Sequence, residues 1–261
     1  MGDVTAYVAR VVADIEATRA TFASFDRPGV MTHAIPFFGD VESAQVLTMG
    51  VNPSAGEFVG RAWPGTMTPN ALAERLKVYF DRAPVPPHPW FATWSDALAP
   101  IGVSYGHGAA HVDISPRATA AMGSHADWKE FARLVEADAR WFFELLPLCR
   151  TARALLMAGC VTKRWYINDF IARIAPSNGY RLTGRAESTG EGRVGFHRLV
   201  GPGCDLPVFF CSVSPSGNKR HLLIQRVVSH QATIKAWLGD RATPNEHRRA
   251  ADGRWWNHEP R

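Results

Sequence analysis

Cysteine is scarce in this chain and long apolar runs are absent from it. The four cysteines, Cys149, Cys160, Cys204 and Cys211, form no Cys-x-x-Cys pair. Two of them lie in apolar, strand-like runs where small buried hydrophobes belong, which points to reduced structural thiols rather than disulfides, zinc or an iron–sulfur cluster. No apolar stretch approaches the roughly 20 residues needed to span a bilayer. The opening residues Met1-Gly2-Asp3-Val4-Thr5 lack the basic-then-apolar order of a secretion leader. A soluble, cytoplasmic chain with no membrane partner is the expectation. There is also no Gly-x-Ser-x-Gly elbow, no P-loop, no dinucleotide fingerprint and no internal repeat, which leaves a small-molecule α/β hydrolase or transferase as the weakest of the readings.

What is present is a chain of 261 residues, 46% hydrophobic, with 29 Lys and Arg against 24 Asp and Glu, a net charge of +5. That length and apolar content suffice for one large α/β domain, and the basic balance leans toward a polyanionic partner. Residues 1–240 are expected to form that domain and 241–261, basic and irregular with Trp255 and Trp256, a mobile tail. No metal or cofactor is called for, and a monomer is expected.

Apolar residues at helical spacing (Val4, Val8, Val11, Val12, Ile15) predict an amphipathic helix over 4–22. The run Ala44–Met49 reads as a buried strand, followed by a Gly/Pro-rich loop over 55–69 and a helix over 70–82. Residues 83–89, with four prolines, read as a stiff surface loop. Further strands are predicted at 109–114, 153–159 and 208–213, a long helix over 127–146, another ending near Ile174, a Gly-rich hairpin insertion over 180–200, and a last helix ending near Leu238. Strands separated by helices predict a three-layer α/β/α fold around a four-stranded parallel sheet.

Two segments carry candidate chemistry. Gly50-Val51-Asn52-Pro53-Ser54 ends the first strand and delivers an amide to the carboxyl edge of the sheet, where open α/β folds place their sites. Ser214-Pro215-Ser216-Gly217-Asn218-Lys219-Arg220 follows the last strand and is basic. Two polar Pro/Gly turns at strand ends suit a phosphate-bearing ligand.

In these segments the chain resembles the uracil-DNA glycosylase superfamily, nearest its thymine/mismatch-specific and single-strand-selective branches. The first segment looks like that family's first motif and the second like its second. Val112-Asp113-Ile114-Ser115-Pro116-Arg117-Ala118-Thr119, Trp128-Lys129-Glu130-Phe131 and Leu155-Leu156-Met157-Ala158-Gly159 fall where the family has its base-reading strand, a helix and its third strand. The agreement in order covers 46–238. The resemblance implies a monofunctional DNA glycosylase, without metal or cofactor, in which Asn52 holds a water beneath C1′ of a flipped nucleotide and Ser214 helps polarise the departing base. It also implies base contacts from Val51, Ser54, Asp113 and an aromatic platform, with Trp63 first and Phe58 second. DNA contacts would come from Pro53, Arg117, Lys163, Pro215, Ser216, Gly217, Asn218, Lys219 and Arg220, on single-stranded or mismatched DNA.

Departures from the family pattern matter as much. Ser214 stands where efficient uracil-specific members carry histidine, and Ser54 where they carry a bulky tyrosine, leaving room for 5-substituted pyrimidines. Asp113 stands where asparagine usually reads the base. An ionised aspartate accepts only, so either Asp113 is protonated or the base offers a donor where uracil has O4. Plainer roles stay open: Asn52 capping its own turn, Ser214 as a turn hydroxyl, Asp113 capping Ser115 or pairing with Arg117, a Trp63 lid, and solvated Lys163, Lys219 and Arg220 at helix starts. His111, His125 and His221 lie near these segments. A catalytically idle nucleic-acid-binding member of the same fold is the alternative.

Overall fold

The computed structural model describes residues 3–25, 34–54, 67–81, 89–119, 128–162 and 165–239. Its strands are β1 (Phe37–Phe38), β2 (Val46–Gly50), β3 (Ser104–Tyr105), β4 (Gly108–Asp113), β5 (Ala154–Ala158), β6 (Cys160–Thr162), β7 (Trp165–Tyr166), β8 (Arg181–Thr189), β9 (Gly192–Gly201) and β10 (Cys204–Cys211). Its helices are α1 (Val4–Ala17), α2 (Pro69–Lys77), α3 (Pro89–Leu98), α4 (Trp128–Asp138), α5 (Arg140–Leu145), α6 (Ile167–Ile174), α7 (Arg220–Ser229) and α8 (Gln231–Gly239).

The central sheet runs β1-β4-β2-β5-β10-β9-β8, with β3 added on β4. Its middle four strands, β4, β2, β5 and β10, are mutually parallel. The expectation of a four-stranded parallel sheet is corrected: among the described residues the sheet has eight strands, and β1, β9 and β8 are antiparallel to their neighbours. The hairpin over 180–200 supplies two of the four added strands, β8 and β9. Rather than standing off as an insertion, β9 pairs with the whole of β10, which would otherwise present an unpaired edge.

Helices cover both faces. Leu47, Met49, Val112, Leu155, Met157 and Phe210 form one core with α1, α2, α4, α5 and α6. Val46, Ala109, Leu156, Ala158 and Phe209 form the other with Trp94 and Leu98 of α3, Leu223 and Val227 of α7, and Ile234 of α8. The near-continuous apolar runs of β2 and β5, buried at every position, are what a parallel strand covered on both sides requires.

Four helix expectations shift. The first helix stops at Ala17 and continues as a 3-10 segment over Arg19–Phe25, while Asp3 caps its start. The long helix over 127–146 is two, α4 and α5, broken after Asp138, a residue whose carboxylate is held inside by Ser115 and Arg117. The last helix divides at His230. Helix α3 was not anticipated at all. Pro89 opens it, a position where a missing N–H costs nothing, and the preceding prolines masked that start. The tail over 241–261 lies outside the described residues, as do Phe58, Trp63, Lys163 and His125. No helix among the described residues is long and apolar enough to cross a membrane.

Candidate active site

All four parallel strands end at one cavity of about 420 Å³. β2 brings Val51, Asn52, Pro53 and Ser54 to it, β4 brings Asp113, β5 brings Ala158 and Gly159, and the turn after β10 brings Ser214 and Ser216. This is the carboxyl edge, where the strand ends of an open α/β sheet diverge and leave room for a ligand.

The first motif is fastened to the segment after β4. Backbone N–H groups of Ile114, Ser115 and Thr119 donate to the carbonyls of Gly50, Val51 and Pro53 at 3.2, 2.9 and 3.1 Å, and Ser54 bridges to Thr119 in parallel register. The Asn52 side chain lies across this seam. Its Nδ2 donates to Thr119 Oγ1 at 2.7 Å, to the Pro53 carbonyl at 2.9 Å and to the Arg117 carbonyl at 3.3 Å. Two carbonyls can face only the nitrogen of an amide, so its orientation is fixed chemically. Oδ1 accepts no hydrogen bond from any described residue, and Asn52 lines the cavity. Asn52 therefore staples its own turn through nitrogen and leaves an acceptor for a ligand or water.

Arg117 does not belong to a DNA-contact surface. Its side chain is 1% exposed and runs inward to Asp138, with Nε and Nη2 at 3.2 and 3.3 Å from the carboxylate oxygens. Thr18 Oγ1 and the Ile15 carbonyl accept two more of its hydrogens, and the Phe22 ring lies 5.0 Å away. Ser115 Oγ also donates to Asp138, at 2.6 Å. Asp113 is thus neither the cap of Ser115 nor the partner of Arg117. A salt bridge built from sequence-adjacent residues lost to one from α4.

Asp113 instead closes the floor of the cavity, 4% exposed, with Oδ1 3.4 Å from Nε2 of His111. Two residues apart on β4, the two side chains point to the same face. Nδ1 of His111 is 2.7 Å from Thr48 Oγ1, which is 2.6 Å from the Tyr105 hydroxyl. This polar chain lies in an apolar wall: the His111 ring sits 5.2 Å from Phe91, 6.0 Å from Trp90 and 6.0 Å from Phe38. Phe38, Trp90 and Phe91 all line the cavity. Sequence reasoning missed them, because α3 and β1 went unassigned. The signal for His111 was available in its i, i+2 spacing from Asp113.

Ser214 is partly exposed, its Oγ 3.2 Å from Ser216 Oγ and accepting from the Ser216 N–H at 3.4 Å. It is both a turn hydroxyl and a cavity residue. Gly159 ends β5 beside Ser214 at φ 88°, a left-handed conformation that favours glycine. Pro215 is buried. Gly217, Asn218, Lys219 and Arg220 are not among the lining residues; the last three are exposed, leading into α7. Among the described residues the lining holds no Lys or Arg, and no cluster of His, Cys, Asp and Glu suited to a metal ion occurs.

No protein-family model matches the chain, and no curated protein matches it.

Gly50 is required by this floor. A Cβ at Gly50 would collide with Oδ1 of Asp113 and stand 3.1 Å from His111 Nε2 and 3.2 Å from Trp90 Cζ2. Gly50→Ala is expected to fold with a loss of about 1–3 kcal/mol, measured by thermal unfolding, while forcing the carboxylate off its place and abolishing ligand discrimination. Unchanged discrimination would show that the Asp113 position is not the reading position.

Cys160 is the exposed thiol among four, and it lines the cavity; burial raises the pKa of all four. One maleimide is expected to add to the native chain, at Cys160, faster as pH rises and more slowly when a ligand fills the cavity. Intact-mass measurement checks this, and addition of two or more to native protein contradicts the burial of the others.

Proposed function

We propose that this chain is a DNA glycosylase of the uracil-DNA glycosylase type, acting on a flipped-out base and leaving an abasic site. The observation that carries the reading is Asn52: its nitrogen held by three acceptors, its oxygen left to the cavity. An amide oxygen so fixed orients a water beneath C1′. Cleavage of an N-glycosidic bond develops positive charge on the sugar and negative charge on the base. Ser214 lies across the cavity, a neutral donor for O2 of the leaving base. Asp113 faces the base edge, and Phe38, Trp90 and Phe91 supply the apolar wall against which a planar ring packs. The exposed Asn218, Lys219 and Arg220, two to four residues beyond the lining residue Ser216, are offered to the strand that carries the base. A neutral amide cannot act as a strong base, so turnover is slow. DNA, single-stranded or mismatched, is the partner, met in the cytoplasm by a monomer without metal or cofactor.

The test is a panel of single- and double-stranded oligonucleotides carrying uracil, hypoxanthine, xanthine and 5-substituted uracil and cytosine, treated with alkali after incubation. Breaks that vanish in Asn52→Ala support the reading. Ser214 spends its hydroxyl partly on Ser216, which favours a catalytically idle nucleic-acid-binding member as the second reading. DNA shifted in a gel but never broken would establish it.

A further inference from the structure

The buried polar chain on the cavity floor has a direction. Burial raises the Tyr105 phenol well above its usual pKa, so it keeps its proton, and among the described residues Thr48 Oγ1 is the partner at 2.6 Å. With Tyr105 as the donor to Thr48, the chain runs toward the cavity. Thr48 has one hydrogen to give and two acceptors in reach, Nδ1 of His111 at 2.7 Å and the Ala110 carbonyl at 3.4 Å. The shorter bond takes it. Nδ1 of His111 is then an acceptor, which puts the imidazole proton on Nε2, facing Oδ1 of Asp113 at 3.4 Å. His111 then turns its N–H toward Asp113. Oδ2 of Asp113 meets no described hydrogen-bond donor. Among the described residues, the other titratable groups facing this floor are Tyr105 from β3 and Cys160 at the cavity; β1, β2 and α3 contribute Phe38, Thr48, Trp90 and Phe91, which do not titrate in this range.

An ionised carboxylate is an acceptor on both oxygens. It repels the carbonyl of a uracil-type edge and matches an edge made only of donors. We propose that His111 and Asp113 form a base-selecting pair, and that they select a base carrying a ring N–H beside an exocyclic amino group, foremost a cytosine-type base protonated at N3. The proposal deepens the glycosylase reading and rests on it for where the base sits. Two departures then agree. A proton from solvent adds to N3 and is stabilised by Asp113; C1′–N1 breaks with its electron pair passing to the base, which leaves neutral. Water adds at C1′ and returns one proton to solvent, so one water is consumed in all. A neutral leaving base needs less help at O2, and Ser214 suffices where a histidine would serve an anionic one. Guanine shares the all-donor edge through N1–H and its amino group, yet its pairing with Asp113 does nothing to activate departure.

The experiment measures binding separately from cleavage. Full-length Asn52→Ala is titrated, by fluorescence anisotropy, with single-stranded oligothymidylates carrying one cytosine, uracil or guanine, between about pH 8 and about pH 5.5. Cytosine is expected to bind at least about tenfold more tightly than uracil at the acid end, with the margin growing as pH falls. Adding Asp113→Asn, which is isosteric, reverses the order. Thr48→Val, which frees Nδ1, shrinks the margin without unfolding the chain. Equal or tighter uracil binding, or an order unmoved by Asp113→Asn, overturns the proposal. Tight, pH-independent guanine binding overturns the cytosine cation in favour of a neutral all-donor edge. Discriminating binding by a wild-type chain that cleaves nothing overturns the hydrolase reading and leaves the pair standing; cleavage of uracil with no such preference does the reverse.

Discussion

If the chain is the proposed glycosylase, Asn52→Ala is expected to leave it folded with base release lowered by at least about 10²-fold, the scale of effect that follows when a reacting water loses its position. Two contributions add. The alanine removes Oδ1, the acceptor left to the cavity, and it also removes the staple from Nδ2 to Thr119, Pro53 and Arg117. They are separable. Thr119→Val deletes one acceptor of the staple and keeps Oδ1, so it should cost about 1 kcal/mol of stability and only part of the activity. Asn52→Asp is expected to be no better than alanine. A carboxylate cannot donate to the Pro53 and Arg117 carbonyls and is pushed away from them, so the added negative charge arrives out of position. The measurement is single-turnover strand cleavage after alkali, beside thermal unfolding of each variant. Activity retained by Asn52→Ala would remove Asn52 from the reaction.

The centre of the fold was legible because parallel strands buried on both faces leave a strong signature. Ala44–Met49 and Arg153–Gly159 each predicted a strand now seen within two residues, and the turn signals after β2 and β10 placed both motifs at the carboxyl edge. What failed to show was anything whose partner is distant. β1 is two residues long and exists because Val112 and His111 of β4 pair with it. Helix α3 starts at a proline that follows other prolines, so its punctuation looked like that of a loop. The site divides the same way. Asn52, Ser54, Asp113 and Ser214, at the ends of three strands, line one cavity. The aromatic wall and the chain from Tyr105 to Asp113 depend on which strands are neighbours, which local pattern does not encode. Arg117 was misread for the same reason: a surface arginine and a buried one look alike until Asp138 is known to stand opposite.

That pair sets the second large expectation. Asp138→Ala should destabilise the chain by about 3–5 kcal/mol, because it leaves the Arg117 guanidinium, 1% exposed, without its counter-charge. For a chain of this size the midpoint of thermal unfolding would fall by roughly 6–20 °C. Removing both charges should be milder: Arg117→Met with Asp138→Leu replaces the ion pair by apolar volume and recovers part of the loss. Function separates the two variants from a purely structural account. The Arg117 backbone carbonyl accepts from Asn52, and the Pro116 carbonyl accepts from Ile35 N–H at 2.7 Å. The side chain of Arg117 ties this backbone to α1 and, together with Ser115 Oγ, to α4. The double variant, stable but without that tie, should keep its fold and lose activity through a slackened Asn52. If the double variant is as active as the wild type, the seam between the first motif and β4 holds Asn52 without help from the interior pair. If Asp138→Ala costs less than about 1 kcal/mol, then solvent reaches Arg117 and the burial that defines this side of the site is wrong.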